Sequence, residues 1–522
     1  MKRILLLFCA LTLLCACGLT SPTATAKPVP ATDAPDYPLA PTVRPAAVQE
    51  DWPDDGLFTL RYADDSTLNP YSCGTEVNRL LCSLLFETMI RVSPDFRAEP
   101  GLCTDWSSYD GGLTFELTLR EGVRFSDGSA MTYWDVLYSL NRAREETSFY
   151  CARLKNVSDF AWTGEKLRVT LTSPQPNFPL LLDVPIVKEG SAYRSLPMGT
   201  GPYEFHEDET GTYLSPNPCC PEAGRLPFRR IELKYFSVEE TSSAFASGEL
   251  DLLVSDPGVM GQSAFEGAVR RSLPTTILYY LSVNPTCEAL SDPARRRLVN
   301  ASINRGSLSG ILGGDSTLLP LHPMLPEADE EAARAWVPTD LAAYCIEILT
   351  EDYDEDGVLE YFRDGVPTDF SFRLLVCSEN EAGTAAARSI ADDLKNKGIR
   401  AELRLLNETE FLRAVKDRDY DMFLGSMRLT ADFDLTALYR DYGDDMLLKL
   451  AQDLRSSEGE ARPLIASELC AYSAECCRVL PLVFQRRIIY SRQGSVREMD
   501  PSWTDPFRGI TDWVTGSRPD TK

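Results

Sequence analysis

A catalytic chain needs a base, a nucleophile or a metal ligand in a setting that activates it. Few candidates here have one. His206 and His322 are the only histidines, and each lies beside residues that favour turns. A Ser-His-Asp triad needs a strained elbow that exposes its serine. The nearest approach, Gly313-Gly314-Asp315-Ser316, lacks the closing glycine of G-x-S-x-G and follows a helical segment. No H-E-x-x-H, phosphate-cradling loop or dinucleotide fingerprint occurs. Asp352, Asp354, Asp356 and Gly357 reproduce the first half of a calcium loop, with Leu359 and Glu360 at later positions. Its twelfth position is Arg363, where a bidentate Glu belongs, and the flanks read as loop and strand. An acidic hairpin turn is the better reading. The pairs Cys219-Cys220 and Cys476-Cys477 lack the C-x₂-C spacing of zinc sites. Neither catalysis nor a metal nor a cofactor is expected, and a hydrolase built on one of the histidines is the weakest alternative.

The elements that would position any site are α/β. Leu113, Phe115, Leu117 and Leu119 alternate with polar residues as a half-buried strand, between the turn signals Asp110-Gly111-Gly112 and Ser126-Asp127-Gly128. Thr132 with Asp135 predicts a capped helix whose apolar face is Val136, Leu137 and Leu140. Leu57–Tyr62 reads as a strand, Val77–Phe86 as a helix, and Arg229–Asp256 as strand, helix, strand. Met198-Gly199-Thr200-Gly201-Pro202 permits tight backbone geometry, read as a hairpin turn before the alternating Tyr203 and Phe205. The clearest signal lies in Phe370–Gly425: a strand, a helix over Ala385–Lys397 with Gly398 as its cap, a strand from Ile399, a helix over Glu408–Lys416, and a strand from Tyr420. That β-α-β-α-β order predicts a parallel sheet covered by helices.

Length and charge set the class and the compartment. A chain of 522 residues exceeds one hydrophobic core, so two or three domains are expected. Lys plus Arg number 52 against 78 Asp plus Glu, a net charge of −26 that repels phosphate backbones and excludes nucleic acid as a partner. Lys2 and Arg3 precede an apolar run, Ile4 to Leu14, too short for a permanent membrane span. The run ends in Leu14-Cys15-Ala16-Cys17-Gly18. Residues 18–52 carry seven prolines between Pro22 and Pro45, the composition of a tether. Such a tether reaches about 30 to 100 Å. Of fifteen cysteines, those past the leader are scattered, and mostly unpaired, partly buried thiols are expected.

One succession of residues carries a family resemblance. It runs Pro100-Gly101-Leu102, Trp106, Gly112-Leu113, Leu119-Arg120, Gly122-Val123, Phe125, Asp127-Gly128, Thr132, Asp135-Val136 and Ser139-Leu140. At this spacing it resembles the extracytoplasmic solute-binding proteins of family 5, the peptide, dipeptide and nickel type. The Gly199–Tyr203 stretch, Gly248-Glu249-Leu250-Asp251, and Asn284 with Asp292, Arg296 and Arg305 match further family elements, with Asn304 in place of the usual Asp. Leu480–Phe484 and Trp503–Val514 resemble its closing elements. The Leu14–Gly18 segment resembles a lipobox.

The resemblance implies a periplasmic-binding-protein-like fold of type II (cluster C), with two α/β lobes and an extra β-rich subdomain in the first. Residues 1–16 would be a lipoprotein signal peptide and 17–55 a lipid-anchored tether, with Cys17 lipidated. The first lobe would take 56–88, 196–270 and 486–522, the β-rich insertion 89–195, and the second lobe 271–485. The implied function is capture of a peptide-like solute between the lobes and delivery to an ABC permease and its ATPase. A monomer on the extracytoplasmic face of the membrane is expected. A sensor on the same fold is the alternative. Nickel binding gains no support, because neither histidine falls in a matching motif. Ligand contacts carried over from the family are Cys73, Gly74, Thr75 and Glu76 in the first lobe and Ser426, Met427, Arg428, Leu429 and Asp432 in the second. In peptide binders an aspartate near that place anchors the ligand's α-amino group. The family's aromatic G-W-x-x-D-Y-x-D-P is here Gly425-Ser426-Met427-Arg428-Leu429-Thr430-Ala431-Asp432-Phe433-Asp434, without the tryptophan or the proline and with an added arginine. Arg428 would either pair a ligand carboxylate bidentately or neutralise Asp432.

Overall fold

The computed structural model describes residues 57–63, 67–255, 265–492 and 495–515. The expected leader, Cys17 and the tether lie outside them. Among the described residues no helix is long and apolar enough to cross a membrane. Hydrophobic burial divides the chain in two. One core draws on residues from Phe58 to Leu273 and again from Ile489 to Trp513. Two others lie on opposite faces of a single sheet built from residues 252–492.

In the first lobe, Leu57–Tyr62 pairs in parallel with Arg230–Tyr235, which continues antiparallel to Gly211–Pro216 and Tyr203–Asp208. The helix Glu76–Leu85 starts at Thr75, whose hydroxyl accepts the Asn78 N–H. Leu80, Leu81, Leu84 and Leu85 are its buried face. The β-rich subdomain is an antiparallel sheet ordered Cys103–Tyr109, Thr114–Leu119, Leu167–Leu171 and Val157–Trp162. Phe115 and Leu117 are buried, as their alternation requires. The Tyr133–Ala143 helix opens with the expected box: the Asp135 carboxylate accepts the Thr132 N–H at 2.8 Å. Gly199 and Gly201 do not form the expected hairpin turn. They pack on the end of helix Glu76–Leu85, where a Cβ on Gly201 would meet the Leu85 carbonyl carbon at 2.4 Å.

The second lobe is built on a mixed seven-stranded sheet in the order Leu252–Val254, Val479–Arg492, Ala268–Val283, Met422–Arg428, Ser371–Cys377 and Arg400–Leu406, with Gly314–Ser316 added to Val479–Arg492; its outermost strand, Leu252–Val254, pairs at the first-lobe end of Val479–Arg492. Ser371–Cys377 runs parallel to both Arg400–Leu406 and Met422–Arg428, so the expected β-α-β-α-β unit is present. Its first helix is Glu381–Lys395, four residues earlier than expected at its start, because Asn380 caps it by accepting the Gly383 N–H at 2.8 Å. Strand alternation sorts the core: Leu278, Tyr280, Leu375 and Phe423 face one cluster, and Tyr279, Leu281, Leu374 and Met422 the other. Each such fully buried leucine contributes roughly 1.5–3 kcal/mol.

Two strands connect the lobes. Ala268–Val283 and Val479–Arg492 pair from Ala268 to Pro274, lose register, and pair again from Leu278. Leu273 and Ile489 belong to the first core, Leu278 and Phe484 to the second. Pro274 has no N–H for the ladder. Beside it the buried Thr275 and Thr276 hydroxyls donate to the Gln485 and Leu429 carbonyls at 2.5 and 2.7 Å.

Candidate functional site

Where the lobes face each other there is a cavity of about 450 Å³. Its first-lobe wall includes Arg153, Lys155, Asn156, Ser173 and Gln175. Its second-lobe wall is dominated by the end of strand Met422–Arg428 and the chain that follows to Thr430. That strand is the notable part of the wall. One edge pairs with Ala268–Val283 along its whole length, from Met422 to Arg428. The other edge pairs with Ser371–Cys377 only at Met422 and Phe423. From Leu424 to Arg428 that edge has no strand partner among the described residues, and Leu424 to Arg428 all line the cavity.

Four of the nine expected contacts, Ser426, Met427, Arg428 and Leu429, line this cavity. Glu76 lines an adjoining one of about 380 Å³, which shares Arg153 and Arg428 with the first. Cys73, Gly74 and Thr75 line neither. Cys73 is buried with its Sγ 3.7 Å from that of Cys82, and Thr75 is the helix cap. Asp432 borders a third cavity, beyond the Gln175 side chain. Its carboxylate accepts the Gln175 amide at 2.7 Å and the Thr430 hydroxyl at 2.6 Å. Burial, and then the neighbouring charge of Asp434, raises the Asp432 pKa.

The ion pairs identify what sequence reasoning missed. Glu76 stands among three guanidinia: Arg79 one turn on, Arg487 from the returning strand, and Arg428 across the cleft at 3.5 Å. Burial alone would push the Glu76 carboxyl up, but Arg428, Arg487 and Arg79 hold it well below its usual range. Arg428 therefore turns to Glu76 and not to Asp432, correcting the second of its two expected roles. Arg153, from the short turn Cys151–Leu154, pairs with Asp183. Arg455 reaches the Ser173 hydroxyl across the cleft at 3.1 Å and lies 3.6 Å from Asp434. The signal for Arg487 was present: Gln485-Arg486-Arg487 interrupts the apolar strand Val479–Tyr490, and a charge there must be paired.

The histidines, the Asp315–Ser316 segment and the acidic turn stay apart from the cavity, whereas Cys377 lines it. His322 is 1% exposed among Phe96, Phe433 and Phe484, and its Nδ1 accepts the Met324 N–H. His206 lies on the strand Tyr203–Asp208 against Ser215. Asp315 and Ser316 form a short strand, with Asp315 paired to Arg486 at 2.8 Å. Asp352, Asp354 and Asp356 are exposed in a hairpin turn, where their carboxylates accept the loop's own N–H groups. All twelve cysteines of the described residues are free, and burial pushes the Cys103 and Cys470 thiols up to about 11.

Two α/β lobes joined by paired strands, with a cavity between them, are an architecture that can hold a ligand where the lobes meet. Solved structures share the fold. The oligopeptide-binding protein AppA from Bacillus subtilis, in complex with a nonapeptide, aligns with a TM-score of 0.63 at 16% identity, over 88% of this chain and 99% of that one. NikA from Brucella suis, in complex with Fe(III)-EDTA, gives 0.71 at 16% identity over 88% and 99%. The family model of bacterial extracellular solute-binding proteins, family 5 (middle), matches residues 97–445. The chain belongs to this family, whose members are substrate-binding proteins of ABC importers and not enzymes. Among curated relatives, the glutathione-binding protein GsiB of Escherichia coli (strain K12) is 20% identical over 364 residues, covering 66% of this chain and 68% of the relative. Its counterpart in Salmonella typhi is 22% identical over 365 residues, with the same coverage.

Proposed function

We propose that this protein captures a peptide-like solute between its lobes and delivers it to an ABC permease, tethered to the membrane through a lipid on Cys17. The supporting observation is the strand edge from Leu424 to Arg428. An unpaired edge presents a row of N–H and C=O groups, and an extended peptide satisfies them as an added strand. Here that edge lines a cavity of about 450 Å³ instead of open solvent. Backbone bonding of this kind is indifferent to side chains, so recognition of several peptides is expected. Ser426, Met427, Arg428 and Leu429 are the proposed contacts. The two relatives named for glutathione and for a nonapeptide complex fit a peptide-like cargo. The lobes are taken as divided near residues 271 and 485, with hinge motion at Pro274–Ile277 and its partner segment.

The test is thermal unfolding of the full-length protein, in detergent, against a library of short peptides, together with native mass spectrometry of the protein as purified. A co-purified mass, or a rise in Tm with some library members, is expected. No carried mass and no stabilisation by any peptide would overturn the peptide reading and leave the fold intact. Anchoring is tested separately: Cys17→Ser should release the protein from membranes, and retention of the variant would remove the lipid from the proposal.

A further inference from the structure

We infer that the solute is anionic, a carboxylate-bearing peptide whose acidic group sits between Arg153 of the first lobe and Arg428 of the second. The inference rests on the interlobe cavity being the solute site. Its first support is a reversal of charge. The whole chain carries 52 Lys and Arg against 78 Asp and Glu. The cavity wall carries five cations, Arg153, Lys155, Arg428, Arg440 and Arg455, against the two carboxylates Glu408 and Asp434. A surface that is acidic elsewhere has concentrated its positive charge where the ligand would lie.

The second support is incomplete neutralisation. Arg153 and Arg428 both line the two adjoining cavities, so they stand at the junction. Around them, Arg79, Arg153, Arg428 and Arg487 share two carboxylates, Glu76 and Asp183. Arg428 has the loosest share. Its contact with Glu76 is 3.5 Å, and among the described residues no other carboxylate reaches it. Burial, with Arg487, Arg79 and Arg153 nearby, lowers its pKa despite Glu76, the mark of a cation short of counter-charge. Toward the rim, Lys155 and Arg440 come from opposite lobes and are exposed, and neither makes an ion pair among the described residues. A partly buried cation with too little counter-charge is costly. A carboxylate between Arg153 and Arg428 supplies the missing charge and matches the planar guanidinium fork. Because the two arginines belong to different lobes, the same anion would turn a repulsion across the cleft into a bridge, so capture and closure become one event.

Binding is measured by calorimetry on the full-length protein with three probes: the tripeptide Ala-Glu-Glu, Ala-Ala-Ala amide, and glutarate. Ala-Glu-Glu is expected to bind at least about 10-fold more tightly than the amide. Arg428→Gln should weaken Ala-Glu-Glu by about 10- to 100-fold, the loss of one charge-assisted contact, and should weaken the amide by much less. Arg428→Lys should recover part of the loss. The Gln variant leaves Glu76 with Arg79 and Arg487, and its unliganded Tm checks that it folds. Equal binding of acid and amide, or an Arg428→Gln variant that binds Ala-Glu-Glu as the parent does, overturns the anion inference while the peptide reading stands. Glutarate binding that Arg428→Gln abolishes, with no response to either peptide, keeps the anionic site and overturns the peptide. Silence from all three probes overturns both.

Discussion

At the residue scale, the partly buried Glu76 and the buried His322 make folding depend on pH in different windows. Glu76 is ionised well below the ordinary carboxylate range because three guanidinia surround it. A depressed folded pKa gives stability that is complete above the unfolded value and lost as pH falls through the carboxylate range and below. Glu76→Gln should cost about 3–5 kcal/mol at pH 7, because it strands the buried Arg487 and the partly buried Arg79 and Arg428, and should flatten the acid limb of a urea-denaturation series. His322 acts higher. Burial lowers its pKa from 6.5 to about 4, so the unfolded chain takes up the proton first. Stability should fall by on the order of 3 kcal/mol between pH 6.5 and 4. In His322→Phe that particular decline should disappear, and an unchanged pH dependence would refute the assignment. Sequence alone reached some of these residues and not others. Ser426 to Leu429, carried over from the family resemblance, do line the interlobe cavity. The Glu76–Arg487 pair was not legible, because its members are 411 residues apart and neither has a local partner that reveals the other. Arg296 and Arg305 matched the family and proved to be structural: each donates to nearby carbonyls, Arg296 to Leu290, Ser291 and Cys476, Arg305 to Asn300, Thr317 and Pro481.

At the scale of elements, local rules succeeded wherever one helix or strand supplies its own signal. The Thr132–Asp135 box and the alternation through Phe370–Leu424 needed no tertiary information. Gly199 and Gly201 show where such rules end. Neither has a positive φ; they are glycine because helix Glu76–Leu85 packs on their Cα atoms. A turn and a close approach leave the same residue in the sequence, and only the fold separates them. Gly201→Ala would put a Cβ against Leu84 and Leu85 backbone atoms, which cannot rotate away as a side chain could. It should destabilise by about 1–3 kcal/mol, read as a lowered urea midpoint, and a midpoint equal to the parent's would show that the helix end yields. The same placement matters for the site. The packed helix end fixes Thr75 and Glu76 at the other end of the helix, so a shift there would also weaken the Glu76–Arg428 contact across the cleft.

At the scale of the whole molecule, the lobes already touch. The Gln175 amide donates to Asp432 at 2.7 Å, Arg455 donates to Ser173 at 3.1 Å, and Arg428 meets Glu76. Each of these contacts joins a residue before 184 to one after 427, while the backbone passes between the lobes through the paired strands around Pro274 and Arg486. Contacts that exist only with the lobes together bias the open–closed equilibrium, and any ligand that needs the closed form inherits that bias. A hydrogen bond to a buried carboxylate contributes about 1.5–3 kcal/mol. Gln175→Leu removes one such bond without adding a charge, so it should shift the unliganded protein toward an open form and raise its radius of gyration in solution scattering. Apparent ligand affinity should fall by about 10- to 100-fold, while saturating ligand restores the compact radius, since the bound closed state is unchanged in kind. Asp432→Asn distinguishes this latch from direct ligand contact. Asn keeps an acceptor for Gln175 and removes the carboxylate's charge. As a latch, Asn should therefore preserve both radius and affinity; as an anchor for a ligand ammonium, it should lose affinity at an unchanged radius. The scattering profile and the binding isotherm together decide which role Asp432 has.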